Sequence, residues 1–331
     1  MNILNRGNMK ISDILFVTDY SSYYLFKDLY NRLDINKCMF KKTDNRMVDI
    51  FRKIHTNKKI SKYVYIPFRD IWFPYNEIRK KIKDNGVLLI NSMAMSMPTI
   101  NFWIKLRKEY PHTKFVLLLV DPMHAKSGHM VEVRKRLKTI KWDLVLSYDK
   151  YDCEEYGFEY IGLNYYSKYS GIKPSNNTSD LYYISSVKTG RSELLRKIFK
   201  RSKVAGIISL FKIYSLWRNV DYGKPIRRIQ PYEDVVADIL STNCILEILQ
   251  DGQKSQSLRY LEALAYNKKL LSNNPNLNKL PGYDARYMKY FEKVDDVDWN
   301  WVKKKENIHF KLHRDFSSAN IISILTKVLE K

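Results

Sequence analysis

The stretch TNCILEILQDGQKSQSLRYLEALAYNKKLLSNN, residues 242–274, decides the fold. Its apolar run 244–249 predicts a buried strand, which a polar loop holding one glycine separates from a helix that opens near Ser257. A second buried strand starts at Lys269. A loop that delivers backbone amides to a helix N-terminus binds anions, and Glu262, on the second turn of the helix, is placed to accept hydrogen bonds from sugar hydroxyls. The pattern therefore predicts a pocket for a nucleotide diphosphate and its ribose.

The composition predicts a folded protein that is long enough for two domains. The chain has 331 residues, of which 45% are hydrophobic and 14% aromatic. No apolar run approaches the roughly 20 residues of a membrane-spanning helix, and the N-terminus lacks the apolar core of a signal peptide, so we expect a cytoplasmic location. The cysteines Cys38, Cys153 and Cys244 are widely spaced, which suits a reducing compartment and packing roles.

The net charge of +23 is unusually high, and residues 51–141 alone carry 20 Lys and Arg against 6 Asp and Glu. Abundant Lys, Asn, Ile and Tyr are also typical of proteins from AT-rich genomes, which is one explanation of the charge. The other explanation is attraction to an anionic surface, and this predicts peripheral contact with the inner face of the cell membrane. No nucleic-acid-binding motif accompanies the charge, so we expect no nucleic-acid partner.

Apolar runs alternate with amphipathic segments along the whole chain, which predicts an α/β fold with parallel, doubly wound sheets. Residues 166–180 are rich in Ser, Asn, Gly and Pro, which is typical of a linker. We expect an N-terminal domain over 1–165, a C-terminal domain over 181–315 and a C-terminal helix over 316–331. The predicted strands include 13–17, 87–91, 114–120, 143–147, 181–185 and 204–210.

A second polar loop follows the predicted strand 181–185. It offers Lys188, Thr189, a glycine and Arg191 at a helix start, a set of groups that suits a diphosphate. An ordinary solvated turn would look the same. Arg259 also has two alternative roles. It lies three residues before Glu262, so it would either form an ion pair with that carboxylate or face the donor phosphates.

Residues 242–274 resemble the donor-binding motif of GT-B glycosyltransferases, in particular of a bacterial group associated with capsule, lipopolysaccharide and exopolysaccharide assembly. Members of the group show a strand, a loop with Gln and Gly, a small residue, an Arg and a helical Glu, followed by Lys-Lys-Leu and Asn. The matching positions in this chain are Gln253, Ser257, Arg259, Glu262, Lys268, Lys269, Leu270, Asn273 and Asn274.

Two further stretches, 143–163 and 180–198, resemble the end of the N-terminal domain and the start of the C-terminal domain of the same group. The chain departs from the pattern in both donor loops. Ser185 and Ser186 stand where the group commonly has an early glycine, and residues 254–256 (Lys-Ser-Gln) replace a second glycine. These departures leave the phosphate geometry and the donor less closely specified than in the group.

The resemblance implies two Rossmann-like domains that face a cleft, with the C-terminal helix packing back on the N-terminal domain. It implies a hexosyltransferase-type enzyme that moves a sugar from a nucleotide-diphosphate donor to a glycan or lipid-linked glycan acceptor. Lys188 and Arg191 would contact the diphosphate, Ser257 would offer its amide and hydroxyl, and Glu262 would hold the ribose. Positive side chains and a helix N-terminus would stabilise the leaving group, so no metal or other cofactor is expected.

An inverting enzyme of this type also needs a general base near the acceptor hydroxyl. Asp19, Asp121 and His124 are candidates because they follow predicted strands of the first domain. Each carboxylate would equally well serve as a helix cap or turn residue. Whether the reaction retains or inverts the anomeric centre is left open by the sequence.

Other metal-like patterns in the sequence are weak. The run 295–298 (Asp-Asp-Val-Asp) lies too near the C-terminus for a manganese motif, and His309 and His313 lack a third ligand. His124 and His129 have an unsuitable spacing, so we expect no metal site. Two alternatives to a glycosyltransferase remain: a GT-B-like polyol-phosphate transferase, and a non-catalytic basic scaffold with a degenerate GT-B core that binds a membrane or nucleic acid.

Overall fold

A computed structural model describes residues 10–41, 45–56, 66–186, 190–216, 219–249, 253–312 and 316–329. The chain divides into two compact units. The first unit comprises Met1–Ser167 together with Ser317–Lys331, and the second comprises Lys168–Phe316. No helix among the described residues combines the length and the apolar composition that a membrane span requires.

The first unit contains a six-stranded, fully parallel sheet within its described residues, in the order β2-β1-β3-β4-β5-β6. Because helices cover both faces, the central strands are continuous apolar runs, and every residue of Val87–Asn91 is buried. The strands are β1 Ile14–Asp19, β2 Asn36–Phe40, β3 Val87–Asn91, β4 Lys114–Leu118, β5 Leu144–Ser147 and β6 Glu159–Tyr160. The helices are α1 Lys27–Asn31, α2 Arg46–His55, α3 Tyr75–Lys81, α4 Ser92–Ser96, α5 Ile100–Glu109, α6 Gly128–Thr139 and α7 Lys150–Tyr156.

The second unit contains another six-stranded parallel sheet within its described residues, in the order β12-β11-β10-β7-β8-β9. Numbered from the start of this unit, the order is 6-5-4-1-2-3, which is the strand order of the Rossmann fold. The strands are β7 Ser179–Ser186, β8 Ser209–Tyr214, β9 Lys224–Ile226, β10 Thr242–Glu247, β11 Lys269–Ser272 and β12 Met288–Tyr290. The helices are α8 Arg191–Val204, α9 Tyr232–Leu240, α10 Leu258–Ala265 and α11 Trp299–Lys303.

The last helix, α12 (Ile321–Leu329), belongs to the first unit. The Ser318 hydroxyl, just before it, accepts a hydrogen bond from the backbone N–H of Leu29 at 3.1 Å and lies 2.7 Å from the Ser167 hydroxyl. The apolar face of α12 is buried. The predicted α/β fold class is confirmed, including the return of the C-terminal helix to the N-terminal domain.

One predicted strand is displaced along the chain. Of residues 204–210, only Ser209 and Leu210 lie in a strand, because α8 continues to Val204 and the chain turns at Gly206, whose φ is +66°. Strand β8 begins only at Ser209. The apolar residues between these elements, among them the buried Ile207, imitate a strand in the sequence although they form a connection that packs on the core.

Candidate functional site

The second sheet changes direction between β7 and β10, which are neighbours in space but not in sequence. From this point the connections run to opposite edges of the sheet, and β7 and β10 both end at its carboxyl edge. Ligands of open α/β sheets bind at such a switch point. Both loops that the sequence predicts as anion sites start at these strand ends, although residues 187–189 and 250–252 within them lie outside the described residues.

The loop after β7 leads directly into α8. Gly190 precedes the helix with a φ of +92°, a value that glycine adopts without strain. Arg191 opens the helix, and its Nη1 donates a hydrogen bond to the backbone oxygen of Ile248 at 3.1 Å. Since Ile248 directly follows β10, Arg191 joins the two loops of the switch point. Lys188 and Thr189 lie outside the described residues.

Ser257 caps the N-terminus of α10. Its Oγ accepts hydrogen bonds from the backbone N–H groups of Arg259 at 3.0 Å and Tyr260 at 3.4 Å, and its hydroxyl donates to Oε1 of Glu247. The other oxygen of Glu247 accepts from the Ser272 hydroxyl at the end of β11. Glu247 therefore fixes the start of α10 relative to the ends of β10 and β11.

Glu247 was not predicted as a site residue. It is 1% exposed, and burial raises the pKa of its carboxyl. The signal in the sequence was a single acidic residue within the apolar run 244–249. A buried carboxylate that receives two hydroxyl donors is satisfied without a cation, and its role here is to position the capping serine.

Two asparagines at the end of the opening stretch hold the polar loop. The backbone N–H of Leu249 donates to Oδ1 of Asn273 at 2.8 Å, and Nδ2 of the buried Asn274 donates to the backbone oxygen of Ser255 at 3.4 Å. Gln253 is half-buried at the beginning of the described part of this loop. The side chains of Asn273 and Asn274 therefore hold the backbone on either side of the candidate anion loop through hydrogen bonds.

Glu262 is fully buried on α10. Arg259 Nη1 lies 2.6 Å from Glu262 Oε2, and the Tyr232 hydroxyl donates to Glu262 Oε1 at 2.6 Å. Burial raises the pKa of Glu262 to about 7, while the Arg259 charge opposes this shift. The structure therefore brings Arg259 and Glu262 together as the ion pair that their spacing allows. The ribose contact of Glu262 and the phosphate contact of Arg259 stay predictions.

The candidate bases of the first unit have different surroundings. Asp19 ends β1 and is fully buried; its carboxylate accepts from the backbone N–H of Ser21 at 2.8 Å and from the hydroxyls of Ser21 and Ser22. Asn91, at the end of β3, donates to the Ser22 hydroxyl at 2.8 Å. Asp19 is thus the centre of a turn at the switch point between β1 and β3, in a sheet with flavodoxin-like strand order.

Asp121 and His124 both follow β4, but the structure gives them different neighbours. The Asp121 side chain is 43% exposed, and its Oδ2 lies 3.2 Å from Nε2 of His129 on α6. His124 is exposed and lies beside Asp149 and Asp152. Neither of these two aspartates was predicted as a site residue, although Asp149 carries the sequence signature of a helix cap.

No protein-family model matches the sequence, and no curated protein matches it either. An α-glucosyltransferase in complex with UDP-glucose and DNA containing an abasic site aligns with 96% of this chain and 99% of its own, with a TM-score of 0.54 and 12% identity. An α,α-trehalose-phosphate synthase (UDP-forming) from Burkholderia xenovorans, in complex with glucose-6-phosphate, aligns with 96% of this chain and 100% of its own, with a TM-score of 0.54 and 9% identity.

The fold is GT-B. The alignments cover 96% of this chain, and they cover 99% and 100% of the two solved structures. Two parallel six-stranded sheets in two separate units are the architecture that this fold requires. The predicted GT-B fold is therefore confirmed. At 9–12% identity the likeness concerns the fold alone, so the kinship with the capsule and lipopolysaccharide group stays a prediction.

Proposed function

We propose that the protein is a glycosyltransferase that takes a sugar from a nucleotide-diphosphate donor. The observation that carries this proposal is the switch point of the second sheet. There, Arg191 at the start of α8 is hydrogen-bonded to Ile248 beyond β10, and the Ser257 cap of α10 follows the same loop. Two helix N-termini and a guanidinium at one sheet edge form a site suited to a diphosphate.

The donor half of the reaction follows from these groups. As the bond between the sugar and the diphosphate breaks, negative charge develops on the departing phosphate oxygens. Arg191, with Lys188 and Thr189 beside it in sequence, and the N-terminal dipole of α10 would stabilise that charge. We therefore propose that the transfer step itself needs no metal at the diphosphate. The buried Glu262 would then receive the ribose hydroxyls.

The acceptor half belongs to the first unit in this proposal. Of the three candidate bases, Asp121 is favoured because its carboxylate is partly exposed and lies 3.2 Å from Nε2 of His129. Asp19 is fully buried and already accepts three hydrogen bonds within its own turn. The resemblance to the bacterial polysaccharide group supports a glycan or lipid-linked glycan acceptor and a role in surface polysaccharide synthesis.

The first test is a panel of nucleotides. We expect one of UDP, GDP and CDP to raise the Tm of the purified protein by several degrees, because a ligand that binds only the folded state stabilises it. UDP comes first, since the α-glucosyltransferase and the trehalose-phosphate synthase of the same fold are described with UDP-glucose or as UDP-forming. Differential scanning fluorimetry measures the shift, and the release of the nucleotide from its sugar conjugate measures activity.

A Glu262→Gln variant sharpens this test. The amide keeps the volume of the side chain and the hydrogen bond from Tyr232 but removes the ion pair with Arg259, so the Tm of the unliganded variant is measured first. We expect the nucleotide affinity of the folded variant to fall by about 10-fold. Inorganic pyrophosphate serves as the control ligand, because it lacks the ribose and should bind the variant no more weakly than the native protein. Indifference of the native protein to all three nucleotide diphosphates would contradict the proposed function.

We also propose peripheral contact with an anionic membrane through α2. This helix leaves four large apolar side chains exposed, between 43% and 64% of their surface, and basic residues border them. Phe68 and Ile71 are exposed as well, on a segment that Arg69 ties to Thr56 at the end of the helix. An amphipathic helix with a basic border is suited to the interface of an anionic bilayer. The exposed apolar residues of α2 are Met47, Ile50, Phe51 and Ile54.

Vesicle pelleting tests this contact. We expect the protein to sediment with vesicles of phosphatidylglycerol and phosphatidylcholine, and less so at high salt because screening weakens the attraction. The double variant Ile50→Ser, Phe51→Ser should bind at least about 10-fold more weakly, since two apolar side chains lose their burial in the bilayer. Leu33→Ser is the matched control, because Leu33 is 95% exposed but lies outside α2. Equal loss in both variants would count against the helix as the contact.

A further inference from the structure

Two acidic side chains of the first unit meet at the junction of β5 and α7. Asp149 is the N-cap of α7, and its Oδ1 accepts from the backbone N–H groups of Tyr151 at 2.9 Å and Asp152 at 3.3 Å. Asp152 turns toward the loop that follows β4, and its Oδ2 accepts from the backbone N–H of Met123 at 2.8 Å. His124, the next residue of that loop, completes the cluster.

The cluster is buried on its acidic side. Asp149 is 0% and Asp152 is 3% exposed. Oδ2 of Asp149 is buried and has no hydrogen-bond partner among the described residues. A buried carboxylate oxygen without a donor is costly, and such an atom in a native fold calls for a bound ion, a water or a proton.

The two carboxylates also lie close to each other, because one donor atom of each falls within the same 4.8 Å cluster. Like charges at this spacing repel each other when both groups are ionised, and a bound positive ion relieves that repulsion.

The positions of the three side chains favour a metal ion. One donor atom from each of His124, Asp149 and Asp152 lies within 4.8 Å of the other two. Nitrogen and oxygen ligands lie about 2.0–2.2 Å from zinc, so two ligands of a tetrahedral ion are about 3.3–3.6 Å apart. Binding would therefore draw the three side chains together, and His124 is exposed and lies on a loop.

We propose that His124, Asp149 and Asp152 form a binding site for a divalent transition-metal cation. One imidazole and two carboxylates suit Zn²⁺, Mn²⁺ or Co²⁺ better than Mg²⁺ or Ca²⁺, which prefer oxygen ligands alone. Because His124 faces solvent, the ion keeps a position open for water or for an oxygen of a bound molecule. The site lies in the first unit and goes beyond the proposed donor chemistry, which is assigned to the second unit.

Isothermal titration of chelator-treated protein tests the proposal without any nucleotide. We expect one equivalent of Zn²⁺ or Mn²⁺ to bind, and Co²⁺ to give d–d absorption typical of a nitrogen and oxygen ligand set. His124→Ala should weaken the affinity at least about 10-fold, as loss of a ligand exceeds the loss of an outer-shell contact. His112→Ala is the matched control, because His112 is an exposed histidine of the same unit outside the cluster.

Two results would overturn the proposal. The first is the absence of binding by any of the three ions to the native protein. The second is unchanged metal affinity in His124→Ala, which is expected to fold because its side chain is exposed. Neither result depends on glycosyl transfer, so the metal site and the proposed function fail separately.

Discussion

Arg191→Ala is expected to weaken binding of the stabilising nucleotide diphosphate by about 10- to 100-fold. A hydrogen bond to a charged group contributes about 1.5–3 kcal/mol to binding. The guanidinium of Arg191 is such a group, and it lies at the start of α8, at the switch point of the second sheet. The guanidinium carries five N–H donors, and its Nη1 is hydrogen-bonded to the backbone oxygen of Ile248 at 3.1 Å. The fork geometry therefore allows the same side chain to hold the loop and to meet a phosphate.

Arg196 provides the control for Arg191 because it lies on the same helix. It pairs with Asp221 at 2.8 Å, and both side chains are largely exposed. We expect Arg196→Ala to leave nucleotide affinity unchanged when both variants are titrated by calorimetry. Arg191→Lys should fall between the native protein and Arg191→Ala, since a lysine keeps the charge but loses the fork. Equal affinity in all four proteins would remove Arg191 from the donor site.

The largest effect on stability is expected from Asp238→Ala. Asp238 on α9 forms an ion pair with Lys212 on β8, and their side chains are 3% and 8% exposed. Removing the carboxylate leaves a buried ammonium without its partner, which costs about 3–5 kcal/mol. At about 2–4 °C for each kcal/mol, the Tm should fall by about 10 °C. Urea unfolding and differential scanning calorimetry measure both quantities.

The exposed pair of Arg196 and Asp221 again offers a comparison. Asp221→Ala should change the Tm very little, because a solvent-exposed ion pair is screened by water and salt. The double variant Lys212→Met, Asp238→Leu should recover much of the stability lost in Asp238→Ala, since an apolar pair carries no desolvation cost. If the single and double variants were equally unstable, packing at this position and not the unpaired charge would explain the loss.

Local patterns were enough to predict the elements that build the two sheets. All residues of the strand Val87–Asn91 are buried. A strand that helices cover on both faces has a continuous apolar sequence, so the run at 87–91 could be recognised as a strand. Strand β2 was missed because it lies at the edge of its sheet, where only Cys38 and Phe40 of its five residues are buried. The sequence of an edge strand carries a weaker apolar pattern than that of a central one.

The candidate site was predicted in part for a similar reason. Ser257 and Arg191 lie at helix starts, and helix starts have recognisable sequence signatures. Glu247 was missed because its role depends on Ser257 and Ser272, which lie on different segments of the chain. The hydroxyls of both serines donate hydrogen bonds to its carboxylate. Asp149 and Asp152 were missed as partners of His124, because the three are adjacent only when β4 and β5 pair.

Residues 242–274 by themselves determined a strand, a loop, a capped helix and a second strand, because each depends on burial and capping within a few residues. They also carried the resemblance that predicted the GT-B fold. Only the tertiary structure decided that the loops after β7 and β10 are neighbours, since strand order depends on how distant segments pair. It likewise decided that Glu262 is buried against Arg259 and Tyr232, because Tyr232 arrives from another helix. Local sequence specifies the elements, and the packing of distant elements places their side chains.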